Sequence, residues 1–121
     1  MPFEPNCKVL VVDDNLDASG ALSILLEFEG YSVVTAQNGL DALNVMQGTE
    51  AISLLILDLS MPVMDGWELL RRKRADPAIS DIPVIVLSAL QSSSLNGVAA
   101  ILTKPVKMGS LLAAIALLGK N

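Results

Sequence analysis

The stretch Ile52-Ser53-Leu54-Leu55-Ile56-Leu57 decides the fold. It is nearly all aliphatic, where a strand with one wet face would alternate, so it reads as a central strand buried on both sides. Such a strand belongs in a parallel sheet with helices on both faces. Working outward, the same unit recurs: a short apolar run followed by a helical pattern. Lys8 to Val12 is a β-branched run ending at Asp13-Asp14, after which Ala18, Ala21, Leu22, Leu25 and Leu26 fall at helical spacing until Glu29-Gly30. Tyr31 to Thr35 reads as strand, and Asn38-Gly39 opens a helix through Ala42, Leu43 and Met46. Asp65 reads as the cap of the next helix, with Glu68 completing a capping box and Arg71-Arg72-Lys73-Arg74 placing cations at its C-terminal end. Pro83 to Leu87 and Ala100 to Thr103 read as strands, and Lys107 to Leu118 as a last helix stopped by Gly119. The expected fold is α/β: an open, doubly wound parallel sheet of five strands, one domain over residues 1–121 with its core at 7–118.

Composition narrows the function. The chain has 121 residues, 52% hydrophobic and only 3% aromatic, so its core is built from Leu, Ile, Val, Ala and Met. Thirteen acidic against eight basic residues give a net charge of −5, a poor start for binding nucleic acid. The short run Arg71 to Arg74 lacks interleaved aromatics and reads as helix-end charge. Cys7 stands alone, so no internal disulfide forms and a reducing, cytoplasmic setting is expected. There is no histidine, which removes Ser-His-Asp and Cys-His catalysis and His-ligated zinc. Met1 to Pro5 lacks a signal-peptide pattern. Ile82 to Thr103 is uncharged, yet its middle, Gln91-Ser92-Ser93-Ser94-Leu95-Asn96-Gly97, is too polar for bilayer depth, so no membrane span is expected.

In an open α/β sheet the functional crevice lies outside the carboxyl ends of the strands, where strand order reverses. Just past the strands stand Asp13 and Asp14, Asp58, Ser88, and Lys104-Pro105. Singly, each has an ordinary explanation as turn former, cap or solvated charge; together they would share one rim. Like charges about 4 Å apart repel by roughly 4 kcal/mol at an effective dielectric near 20, so a cation is expected among the aspartates. Oxygen ligands without His or Cys suit Mg²⁺, with Mn²⁺ as substitute. A carboxylate beside a divalent cation, a hydroxyl and an ammonium is equipped to accept a phosphoryl group as an acyl phosphate.

The segments Val9-Leu10-Val11-Val12-Asp13-Asp14-Asn15, Leu57-Asp58-Leu59-Ser60-Met61-Pro62-Val63-Met64-Asp65-Gly66, Val86-Leu87-Ser88-Ala89 and Thr103-Lys104-Pro105 resemble the receiver domain of two-component response regulators over nearly the whole chain. The resemblance implies a flavodoxin-like fold and a signalling domain rather than an enzyme. It implies Asp58 as phospho-acceptor, and Mg²⁺ held by Asp13, Asp14, Asp58 and the carbonyl of Ser60. Lys104 would contact the phosphoryl group, Ser88 would turn toward it, and Pro105 matches the family's cis-proline that aims the lysine. Ser60 would also stand beside the water that removes the phosphate. The implied partners are a histidine kinase or histidine phosphotransfer protein and a downstream protein target.

Two features depart from that pattern. The switch position three residues before Lys104 is Ile101, where the family carries an aromatic ring. Only Leu90 to Asn96 separate Ala89 from Gly97, roughly one and a half helical turns short of the family's spacing, so the helix between the fourth and fifth strands is expected to be shortened or missing. The last helix, Leu111 to Leu118, is apolar around its whole circumference, which suits either harmless alanines or a homodimer or partner surface. Two readings compete with a working receiver: a degenerate receiver that binds partners without phosphate, and an aspartyl phosphohydrolase. The second lacks an acid-base Asp two residues after Asp58, where Ser60 stands.

Overall fold

The structure, a computed structural model, describes residues 8–48, 51–58, 63–88, 98–103 and 106–119, with backbone alone at Leu16, 63–67 and Gly119. In chain order the elements are β1 (Lys8–Val12), α1 (Leu16–Phe28), β2 (Ser32–Ala36), α2 (Gly39–Gln47), β3 (Ile52–Asp58), α3 (Val63–Ala75), β4 (Val84–Ser88), β5 (Ala100–Thr103) and α4 (Met108–Gly119). All five strands pair in parallel, in the order β2-β1-β3-β4-β5. The fold expected from the aliphatic strands is the fold observed, with four helices among the described residues.

The core has two layers, one on each side of the sheet. Alternate residues of each central strand feed opposite layers. Leu10, Val12, Leu55, Leu57, Val84 and Val86 pack with Ala42, Leu43, Met46, Leu69 and Leu70 of α2 and α3. Val9, Val11, Leu54, Ile56, Ile85 and Leu87 pack with Leu26 of α1 and Leu111 and Ile115 of α4. β3 lies mid-sheet and six of its seven residues are buried, which is why its sequence shows no alternation. β2 sits at an edge and is mostly wet, and its sequence carries Ser and Thr accordingly.

The ends of the elements refine the sequence expectations. α1 closes on Gly30 at φ 99°, with Gly30 N–H donating to Glu27 O at 3.0 Å and Tyr31 N–H to Leu26 O at 3.1 Å. This is the Schellman arrangement, whose left-handed residue favours glycine. α3 begins at Val63, so Asp65 lies inside its first turn instead of capping it. Glu68 correspondingly faces Arg71 and Arg72, not the helix start. The shortened crossover falls on residues 89–97, outside the described residues. No helix among the described residues is long and apolar enough to cross a membrane.

Candidate functional site

Strand order turns back between β1 and β3: the chain runs from β1 outward to β2, then returns to the other side of β1 with β3. The crevice of an open α/β sheet lies at that reversal, at the carboxyl ends. Val12 of β1 is in register with Leu57 of β3, so Asp13 and Asp58 are the next residues along two adjacent strands. Both fall on the α1/α4 side by alternation, Asp13 after Val9 and Val11, Asp58 after Leu54 and Ile56. Both are buried, at 7% and 3% exposure. Asp13 is fixed twice: its N–H donates to Ala36 O at 3.1 Å, and its Oδ1 accepts the N–H of Asn15 at 2.9 Å. Asn15 caps α1 by accepting the N–H of Ala18 at 3.1 Å. One short turn therefore anchors the acid and starts the helix.

An open cavity of about 290 Å³ leads from solvent to these two acids. Its walls are Ala18, Leu22 and Leu25 of α1, Leu87 of β4, and Val106, Met108 and Leu111 at the start of α4. It is apolar except at its floor, where Asp13 and Asp58 stand.

The other expected residues divide. Asp14 is exposed and does not line the cavity. Among the described residues no group of three or more His, Cys, Asp or Glu side chains is placed to hold a metal ion. Two buried carboxylates still fit Mg²⁺, which binds through one or two carboxylates and keeps several waters. Ser88 is buried at the carboxyl end of β4, in register with Thr103 of β5. It continues the series Val84 and Val86, so it belongs to the α2/α3 side, opposite to Asp58. Ile101 is half-buried, sits in register with Val86, and packs into the same α2/α3 layer. Ser60, Lys104 and Pro105 lie outside the described residues. Sequence reasoning missed Asn15, whose role as helix cap follows from its place just before the helical pattern.

The family profile of the response regulator receiver domain matches residues 9–116. The chain is similar to a transcriptional regulatory protein CpxR homolog of Haemophilus influenzae, 43% identical over 82 residues, covering 68% of this chain and 34% of that one. It is 39% identical over 104 residues to an uncharacterized 14.6 kDa protein of Leptolyngbya boryana, covering 81% of this chain and 79% of that one. The chain thus spans about a third of the first of these curated relatives and 12% of a gliding motility regulatory protein of Myxococcus xanthus. Among solved structures, the chemotaxis response regulator CheY4 of Vibrio cholerae aligns with a TM-score of 0.82 at 30% identity, over 93% of this chain and 98% of that one. The signal receiver domain of a histidine kinase from Syntrophus aciditrophicus aligns with a TM-score of 0.82 at 31% identity, over 93% and 89% of the two chains.

Proposed function

The chain belongs to the response regulator receiver domain family, and on that premise we propose that it accepts a phosphoryl group on Asp58 from a phosphohistidine of a histidine kinase or phosphotransfer protein. The observation that supports this most is the pair of buried carboxylates, Asp13 and Asp58, on adjacent strands at the reversal of strand order, with an open path to solvent. In the transfer an Asp58 carboxylate oxygen forms the bond to phosphorus while the bond from phosphorus to the donor's imidazole nitrogen breaks. The Asn15 N–H, donated to Asp13 Oδ1, holds Asp13 in place. Asp13, Asp14, Asp58 and the Ser60 carbonyl are the groups proposed to hold Mg²⁺. When bound, the ion supplies charge neutralisation on the oxygens of the transferring group. Lys104 supplies an ammonium to the same oxygens, and Ser88 and Ile101 couple the modified site to the α2/α3 layer. The apolar cavity walls suit a donor helix that brings its phosphohistidine to the floor.

The output is a phosphorylation-linked change in binding to a downstream protein, within the cytoplasm. Intact-mass measurement with Mg²⁺ and a small phosphodonor, beside an Asp58→Asn variant, tests the reading. A stoichiometric, Asp58-dependent gain of one phosphoryl group is expected. No gain would leave a phosphate-independent binding module, and catalytic turnover of phosphate esters would indicate a hydrolase.

A further inference from the structure

The cavity at the carboxyl edge joins two surfaces of unlike chemistry. Its walls are apolar, contributed largely by Ala18, Leu22 and Leu25 of α1 and by Met108 and Leu111 of α4. Its floor is acidic, with Asp13 just past β1 and Asp58 at the end of β3, 7% and 3% exposed. The acids answer to Mg²⁺ and the phosphoryl group of the proposed function, but the walls answer to neither. A hydrated divalent ion keeps its waters and gains nothing from hydrocarbon. The space is also larger than a packing gap. At about 290 Å³ it is nearly twice the size of an apolar cavity of about 150 Å³ that holds benzene. An α-helix is about 10 Å across, too wide for a space of this size, so a donor helix seats on the mouth and leaves the interior unfilled.

We propose that this cavity binds a small amphiphilic cation, a primary alkylammonium of about six to ten carbons, with its ammonium at Asp13 and Asp58 and its chain between α1 and α4. Charge and solvation single out this class. A neutral hydrocarbon would fill the walls and strip water from two carboxylates without replacing it. A fatty acid would add a third carboxylate to the two already buried there. A metal ion would leave the walls wet. An alkylammonium serves both surfaces, because its donors make charge-assisted hydrogen bonds at the floor while its methylenes leave water along the walls. Adjacent strands lie about 4.8 Å apart, a spacing that suits a compact ammonium between the two acids better than a planar guanidinium. The mouth is suited to a chain that enters end-on, since Ala18 is exposed and Leu25 is 49% exposed at the rim.

A methyl NMR titration with hexylammonium chloride, without Mg²⁺ or phosphodonor, tests the site. Saturable shifts are expected at the methyl groups of Leu22, Met108 and Leu111, with hexanol and methylammonium each at least tenfold weaker and hexanoate not saturating. Asp13→Asn is expected to weaken hexylammonium at least fivefold. Ala18→Phe, which fills the cavity from an exposed helical position, is expected to weaken it at least tenfold; circular dichroism confirms that both variants fold. Absence of saturation, hexanol binding as tightly as hexylammonium, or unchanged affinity in Ala18→Phe would each overturn the proposal. One consequence rests on the proposed function: since the floor includes the acceptor, saturating hexylammonium slows the gain of a phosphoryl group by Asp58 at least fivefold. An unslowed gain with the cavity occupied overturns the placement of the ammonium at the floor. The two readings fail separately, because phosphoryl gain without amine binding removes only this inference, and amine binding without phosphoryl gain removes only the proposed function.

Discussion

Lys73 is 3% exposed and donates from Nζ to the carbonyl of Ser80 at 3.0 Å, tying the end of α3 to the turn before β4. Burial pushes its ammonium below the usual lysine range, against the opposing pull of Asp81. The folded chain therefore sheds that proton before the unfolded chain does, and stability from this group rises with pH between the depressed value and 10.5. Urea midpoints measured from neutral pH to about pH 10 are expected to climb relative to those of Lys73→Met; parallel curves would refute this. Glu68 lies at the other extreme, on the surface. The Arg71 and Arg72 guanidinium groups hydrogen-bonded to it hold its carboxyl down from 4.5 to about 2. Whatever stability this contributes is complete above 4.5 and is lost as pH falls toward 2, and it is small because the groups are solvated. An NMR titration is expected to place the Glu68 midpoint near 2 and to return it toward 4.5 in the Arg71→Ala, Arg72→Ala double variant. In the sequence these residues form one run of four cations, and nothing in the run distinguishes the buried lysine from its exposed neighbours. The same limit applies to Asp13 and Asp14, adjacent and chemically identical, of which only the first points into the fold.

At the scale of elements, α1 is held at both ends by groups the sequence does contain. Its stop was legible, because a glycine after the last periodic residue is the common signature of a left-handed C-terminal position. Its start was less so, since Asp13, Asp14 and Asn15 are three consecutive residues of the type that caps helices. The structure assigns the cap to Asn15 and turns Asp13 into the cavity beside Asp58. Asn15→Ala is expected to cost about 1 kcal/mol, and Gly30→Ala, at φ 99°, about 1–2 kcal/mol. Denaturant unfolding of both variants checks these values. Loss of the Asn15 cap also loosens the turn that holds Asp13, so Asn15→Ala is expected to weaken Mg²⁺ binding, whereas Gly30→Ala, at the far end of the helix, leaves it unchanged. The start of α3 was misread, with Asp65 lying inside the helix and not before it, because a capping-box pattern at Asp65 and Glu68 is equally compatible with a first-turn acid and a surface ion-pair partner.

For the whole molecule, strand type and layering were legible because burial on both faces suppresses alternation, and the carboxyl edge of the sheet as the place to seek a site followed from the fold class. Which side of the sheet each site residue takes was not legible, since it depends on where each strand ends relative to its neighbours. If Asp13 helps to hold Mg²⁺, thermal unfolding rises with the ion, reaching about 2.7 kcal/mol of added stability at a hundredfold excess over its dissociation constant. Asp13→Asn is expected to abolish most of that gain, and an unchanged Mg²⁺ response in the variant would remove the ion from this site. The sheet itself has a further consequence. Asp58 belongs to one layer, while Ser88 and Ile101 belong to the other. Between the two layers stands the β-sheet itself, and Asp58 and Ser88 are the last residues of β3 and β4. On the proposed function, a mark made on one surface of that wall can be read from behind it only where the wall stops, at the short rim where β3 and β4 run out. Any message therefore passes through a doorway a few residues wide, and a substitution in that doorway would silence the reader without erasing the mark.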